Sequence, residues 1–273
     1  MCEQYAWQTE VLREAVCAIV SHARLHDMYS GDGARLYHAA SEHDNAELDS
    51  VLSACIPEIR DHDDRLRAVD LCAGSGRITA ELSVLGIEEV IAVDISDDLL
   101  AILDQRALPN VTSVRSDAIA WLSRQPTDSL DIATIAAGSL RLFGREQRIA
   151  LFSQLHRVLH AGGLFWFSHE YVSQPRNIFL PCEMNVAGGR LSAIFFSCPS
   201  RYQDEQGAVN GYWVTSMEDS SADLYLSWVR QIDASDLQYE LGLAGFDGAR
   251  VATRTTPRRM AGGRTMMYFS VRK

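Results

Sequence analysis

The 273-residue chain has no long apolar run: stretches such as Leu164 to Phe167 and Ala193 to Phe196 fall far short of the roughly 18 residues that a bilayer-crossing helix needs. A membrane protein is not expected. The first ten residues carry two acidic side chains and lack the basic stretch and apolar core of a secretory leader, so a cytoplasmic location is expected. Positive charge is also scarce, with 25 Lys and Arg against 36 Asp and Glu and a formal net charge of −11. Nucleic acid, which is bound by clustered cations, is therefore not expected as a partner. The six cysteines lie far apart with no C-x-x-C pair, which argues against a disulfide framework or a zinc knuckle and for reduced thiols. The pairs His22/His26 and His156/His160 lack the Glu of H-E-x-x-H, so no metal is expected. His156 and His160 read better as cations closing a helix, where they complement its dipole.

The composition that remains, 47% hydrophobic and 22% charged, is that of a globular protein. The first sixty residues read as a cap: an amphipathic helix from Cys2 to about His26, a loop at Tyr29 to Gly33, and a helix from Glu42 to Cys55 stopped by Pro57. From Leu66, short apolar strands alternate with helices. Strands are expected at Ala68–Cys72, Val90–Asp94, Val111–Arg115, Ile132–Ala136 and Leu164–His169, and helices at Gly76–Leu85, Asp97–Gln105 and Arg145–Leu159. After Tyr171 three extended segments follow, Leu191–Cys198, Gly211–Met217 and Leu224–Ile232, read as antiparallel strands. The rhythm then returns with a helix at Ala234–Ala244 and closing strands at Ala249–Arg254 and Met266–Val271. This pattern predicts an α/β fold: a mostly parallel, seven-stranded sheet with helices on both faces, a helical cap over 1–62, a core over 63–171 and 234–273, and an antiparallel insertion over 172–233.

The stretch Val69-Asp70-Leu71-Cys72-Ala73-Gly74-Ser75-Gly76-Arg77 puts a carboxylate on a strand and a glycine turn just before a helix. Gly74 and Gly76 remove the Cβ atoms that would keep a ligand from the backbone, and the helix start offers unpaired N–H donors. Asp94, eighteen residues after Gly76, ends the second strand, where a carboxylate can accept both hydroxyls of a ribose. Asp117-Ala118 follows the third strand, where a carboxylate can accept from an adenine amino group. Three acids at the ends of three successive strands face one crevice. A dinucleotide loop would carry a third glycine where Thr79 stands, and Asp70 would repel a pyrophosphate. A carboxylate there suits a cationic ligand instead, reached indirectly through the order it imposes on the loop.

On these residues, with His160-Ala161-Gly162-Gly163 in place of a proline-glycine-glycine turn, the chain resembles the class I S-adenosylmethionine-dependent methyltransferases over about residues 66–170 and, in topology, 234–273. Cys72 replaces the first glycine of the usual loop, a departure that its small size makes minor. The resemblance implies a Rossmann-like core that binds S-adenosylmethionine through Asp70, Ala73, Gly74, Gly76, Asp94, Ile95, Asp117, Ala118, Ala137 and Ser139. The cap and the insertion look like those of natural-product enzymes, in particular amino-sugar N,N-dimethyltransferases and the methyltransferases that modify ribosomally made peptides of the daptide type.

That likeness implies N-methylation of a small molecule or short peptide by a monomer or homodimer without a metal; O- or C-methylation, or a non-catalytic subunit of the same fold, remain alternatives. Tyr29 and Tyr37 flank Gly31-Asp32-Gly33, and in such enzymes a cap aromatic closes over the sulfonium, although both rings could instead simply pack the cap. His169 and Glu170, ending the fifth strand over the mouth of the crevice, and Arg141 after the fourth either act on substrate, with His169, Tyr29 and Arg141 as the catalytic candidates, or form a solvated rim. Acids in the cap, Asp27, Asp32, Glu42, Asp44 and Glu47, would draw an amine toward the mouth, whereas Asp44 and Glu47 taken singly read as a solvated helix face.

Overall fold

A computed structural model describes residues 23–41, 45–60, 65–172, 175–186, 189–215, 222–246, 258–260 and 264–273. The described parts of Met1–Glu42 and Val172–Gln231 form one unit, and those of His43–Tyr171, Ile232–Met260 and Arg264–Lys273 form a second. Among the described residues no helix is long and apolar enough to cross a membrane. No disulfide joins the four described cysteines.

The second unit holds the alternating core. Its elements are α2 (Asn45–Arg60), β2 (Arg67–Leu71), α3 (Arg77–Ser83), β3 (Glu89–Asp94), α4 (Asp97–Asp104), β4 (Val111–Arg115), α5 (Ala118–Ser123), β5 (Leu130–Ile135), α6 (Arg145–Val158), β6 (Leu159–Val172), α7 (Ala234–Leu243), β11 (Arg258–Met260) and β12 (Arg264–Arg272). The sheet order is β11-β12-β6-β5-β2-β3-β4; β6, β5, β2, β3 and β4 run parallel, and the three-residue β11 pairs antiparallel with β12. Successive side chains of a strand point to opposite faces, and both faces here are apolar. Val69, Leu71, Phe165 and Phe167 join Phe152 and Leu241 on one side, while Ala68, Leu164 and Trp166 join Cys55 and Leu82 on the other. Burying each such ring stabilises the fold by roughly 2 to 3 kcal/mol.

The first unit is a five-stranded sheet ordered β1-β10-β9-β8-β7, built from β1 (Ala23–Asp27), β7 (Ile178–Val186), β8 (Gly189–Tyr202), β9 (Glu205–Thr215) and β10 (Ala222–Arg230). Its strands pair antiparallel except β1, which runs parallel to β10. Leu36 of α1 (Gly31–Ser41) joins Met184, Ala193 and Tyr225 in one apolar cluster of this unit. Gly211 is required where it stands, since a Cβ there would lie 2.5 Å from the Phe196 ring.

Several expectations need correction. The helix expected to reach His26 gives way to β1, because Ala23, Leu25 and Asp27 are taken up as partners of Ala222, Leu224 and Leu226; residues 1–22 lie outside the described ones. The insertion has four strands rather than three, β7 being the addition. Pro57 lies inside α2, which runs on to Arg60. That helix groups with the core, so the cap does not extend to residue 62. The expected strand Ala249–Arg254 lies outside the described residues, and α5 is an element the sequence alternation did not contain.

Candidate functional site

In this open sheet the chain order reverses between β2 and β5, and a crevice opens outside the carboxyl ends of the parallel strands at such a point. The loop leaving β2 turns sharply through left-handed backbone at Cys72 (φ 55), Gly74 (φ 56) and Gly76 (φ 79). At Gly76 the positive φ strains any side chain, and a Cβ would lie 2.2 Å from Leu103 Cδ1 of α4, which would have to shift. Cys72 was expected to be a minor departure on grounds of size, but the cost is in the backbone: a side chain at positive φ is disfavoured by about 1 to 2 kcal/mol.

Asp70 is 1% exposed; Thr79 donates its hydroxyl to Oδ2 at 2.7 Å and Thr134 to Oδ1 at 2.8 Å. Burial pushes its carboxyl up to about 6, against the two hydroxyl donors, which lower it. Asp94 ends β3, where Oδ2 accepts from Gly74 N–H at 2.7 Å and Oδ1 from Ser96 N–H at 2.8 Å. Its carboxyl is also raised by burial, opposed by those N–H donors. Ile95 N–H also lowers it, and the carboxylate retains acceptor capacity beyond these backbone bonds. Ile95 beside it is 67% exposed, an apolar platform adjoining a carboxylate. Asp117 is exposed and caps α5 by accepting from Ala120 N–H at 2.9 Å, with Ala118 buried behind it. Burial, and then the charges of Asp94, Asp70 and Asp117, hold the Cys72 thiol well above its usual range, so it stays neutral.

The loop after β5 forms the opposite side. Ala137 (φ 54) and Gly138 (φ 66) are successive left-handed residues, and Ser139 Oγ donates to Ala136 O at 2.7 Å as the chain enters a short 3-10 helix, Ser139–Leu142. Ala137 N–H donates to Glu47 Oε1 at 2.8 Å and Gly138 N–H to Ser168 Oγ at 3.1 Å. Glu47 is 1% exposed and also pairs with Arg77, so it is neither a solvated acid nor a source of field at a mouth. Its neighbours Glu42 and Asp44 lie outside the described residues.

Two of the catalytic candidates, His169 and Arg141, lie in buried networks. His169 is fully buried within β6; its Nε2–H donates to Ile232 O at 2.8 Å, and burial lowers its pKa to about 4, leaving a neutral ring bound to backbone. Arg141 is 4% exposed and pairs at 3.0 Å with Glu170, which lies 3.4 Å from Arg264. A carboxylate flanked by two buried guanidiniums is an internal network rather than a solvated rim. Tyr29 and Tyr37 belong to the first unit, where their rings meet edge to face at 5.1 Å. Among the described residues no group of three or more His, Cys, Asp and Glu gathers to hold a metal ion.

Sequence reasoning missed Thr134, Ser168 and Arg264, and it read Glu47 as an acid at the mouth or on a solvated helix face, whereas it is buried. Thr134 left a signal, a lone hydroxyl in the otherwise apolar run Ile132–Ala136; the buried partners of Glu47 and Arg264 left none.

The strand order and the acids at the strand ends define an open α/β sheet with carboxylates at the carboxyl ends of β2 and β3 and just beyond β4. Residues 68–163 match the family described as a methyltransferase domain. No curated protein sequence matches the chain. It is similar in structure to an S-adenosylmethionine-dependent methyltransferase from Clostridium acetobutylicum, at 14% identity and a TM-score of 0.62, covering 89% of this chain and 99% of that one. An amino pentose methyltransferase from Micromonospora echinaspora shows 14% identity and a TM-score of 0.62, covering 90% and 98%. A sugar N-methyltransferase from Streptoalloteichus shows 15% identity and a TM-score of 0.60, covering 87% and 92%. At these identities the likeness shows the α/β methyltransferase fold.

Proposed function

We propose that the protein transfers a methyl group from S-adenosylmethionine to an amine of a small natural product or short peptide. The observation that carries the donor assignment is the pairing of Asp94 with Ile95: a carboxylate with spare acceptor capacity next to a 67% exposed apolar side chain, at the end of β3 beside a glycine turn. That donor set fits a nucleoside, the ribose hydroxyls on the carboxylate and the base on Ile95 and the start of α5. Bound S-adenosylmethionine supplies an electrophilic methyl group. The protein's part is alignment and exclusion of water, which as effective concentration is worth several kcal/mol.

The amine assignment draws on the matched structures, two of which are described as an amino pentose methyltransferase and a sugar N-methyltransferase. It agrees with a chain of net charge −11, whose field favours a cation over a carboxylate or phosphate acceptor. With His169 buried and bound to Ile232 O, no base is assigned to it, and an acceptor amine loses its proton to solvent before attack. Turnover is expected to rise with pH as the acceptor ammonium deprotonates. A panel of amines, phenols and carboxylates, assayed for demethylated cofactor, tests this; turnover confined to phenols would defeat the amine reading and leave methyl transfer standing.

A further inference from the structure

We infer that Glu47 is a positioning residue for the cofactor, fixing the separation of the two loops that flank the switch-point crevice. The inference rests on the donor assignment above. β2 and β5 are parallel neighbours, with Leu71 opposite Ile135, yet the chain leaves β2 toward β3 and leaves β5 toward β6 on the other side. The loops that follow diverge, and nothing in the sheet ladder sets the distance between them beyond the last paired residues. Glu47, on α2, reaches both. Its Oε1 accepts from Ala137 N–H at 2.8 Å in the loop after β5, and its Oε2 pairs with Arg77, the first residue of α3 beyond the glycine turn.

Ala137 needs such an anchor. It holds a left-handed backbone (φ 54) without being glycine, and Gly138 after it does the same (φ 66), its N–H taken by Ser168 Oγ at 3.1 Å. Two consecutive N–H groups are thus pinned by side chains from α2 and β6. The Glu47 bond is the stronger kind, since its acceptor is a carboxylate only 1% exposed. Removing it frees a disfavoured backbone to relax, which moves the Ala137 to Ser139 wall, and it takes the Glu47 carboxylate away from the Arg77 guanidinium. The glycine turn and the loop after β5 then lose their common reference.

The test is calorimetric binding of S-adenosylmethionine and of its demethylated product to the full chain, with thermal unfolding measured alongside. Glu47→Ala is expected to weaken both ligands about tenfold or more. Glu47→Gln, whose amide oxygen still accepts from Ala137 N–H, recovers most of that loss, and Arg77→Met, which removes the ion pair, weakens binding several-fold. With saturating cofactor, the acceptor KM stays unchanged in all three. Cofactor affinity within about twofold of wild type in Glu47→Ala, whatever its unfolding temperature, overturns the inference. Should Glu47→Ala not fold, unchanged affinity in Arg77→Met overturns it instead. A wild-type chain that binds neither ligand overturns the donor assignment itself, a result distinct from bound wild type with unaffected variants.

Discussion

Thr79 donates its hydroxyl to Asp70 Oδ2 at 2.7 Å, one residue on α3 and the other on β2. The contact accounts for a threonine where a dinucleotide loop carries glycine. A carboxylate buried on a strand needs donors, and the first turn of the next helix is within reach. Thr134, on the adjacent β5, takes the other oxygen. Asp70 therefore acts by tying β2, β5 and α3 together beneath the loop, in keeping with an indirect influence on the ligand.

That buried carboxyl makes stability depend on pH. Its folded value of about 6 lies above the 3.8 of an unperturbed carboxyl. Folding therefore favours the protonated form, and the stability it contributes is present below the unfolded value and lost as pH rises through the folded one. Relative to Asp70→Asn, the wild type is expected to lose up to about 3 kcal/mol between about pH 4 and about pH 7 and little beyond. Urea unfolding of both proteins across this range checks it; a constant difference rules it out.

Asp94→Ala removes an acceptor that also holds Gly74 N–H and Ser96 N–H. Cofactor binding is expected to weaken by about 1 to 3 kcal/mol. Unchanged calorimetric affinity in the variant would sink the pocket assignment.

Gly76→Ala combines backbone strain at φ 79 with a Cβ 2.2 Å from Leu103 Cδ1. The expected loss is about 1 to 2 kcal/mol from the left-handed backbone, with about 1 to 3 kcal/mol more from overpacking against α4. A thermal midpoint equal to wild type would contradict the geometry.

Arg148 of α6 and Glu240 of α7 form a buried two-point pair, both bonds 2.7 Å. Glu240→Ala leaves a guanidinium buried without its carboxylate and is expected to destabilise by about 3 to 5 kcal/mol, whereas replacing both with apolar residues of similar volume is expected to be close to neutral. Denaturant unfolding of the single and double variants distinguishes these outcomes, and a double variant as unstable as the single one would count against the account.

The parts of the molecule that were legible in the sequence are those specified within a few residues. Strand Val111–Arg115 falls where its periodicity put it, and the ends of β2, β3 and α4 lie within a residue of expectation. The glycine turn, Asp94 and Asp117 stand at strand ends because turn chemistry and the change from strand to helix period are written in short windows. The strand at Ala23–Asp27 was not legible, because its pairing with β10 depends on residues about two hundred positions away. Local amphipathicity there is compatible with a helix, and the sheet edge overrides it.

By itself, then, the sequence determined an alternating α/β core with a carboxylate and a glycine turn at its switch point, since these depend on local periodicity and on which residues tolerate left-handed backbone. Only the tertiary structure decided what the remaining polar groups do. Glu47 meets Ala137 ninety residues along the chain, His169 meets Ile232 O sixty-three residues on, and Asp70 meets Thr134 sixty-four residues on. A charged or polar side chain carries no local mark of whether it will face water or be buried against a partner. That is settled when sheet and helices close around it, because a group taken out of water must find its hydrogen bonds among whatever the fold brings near.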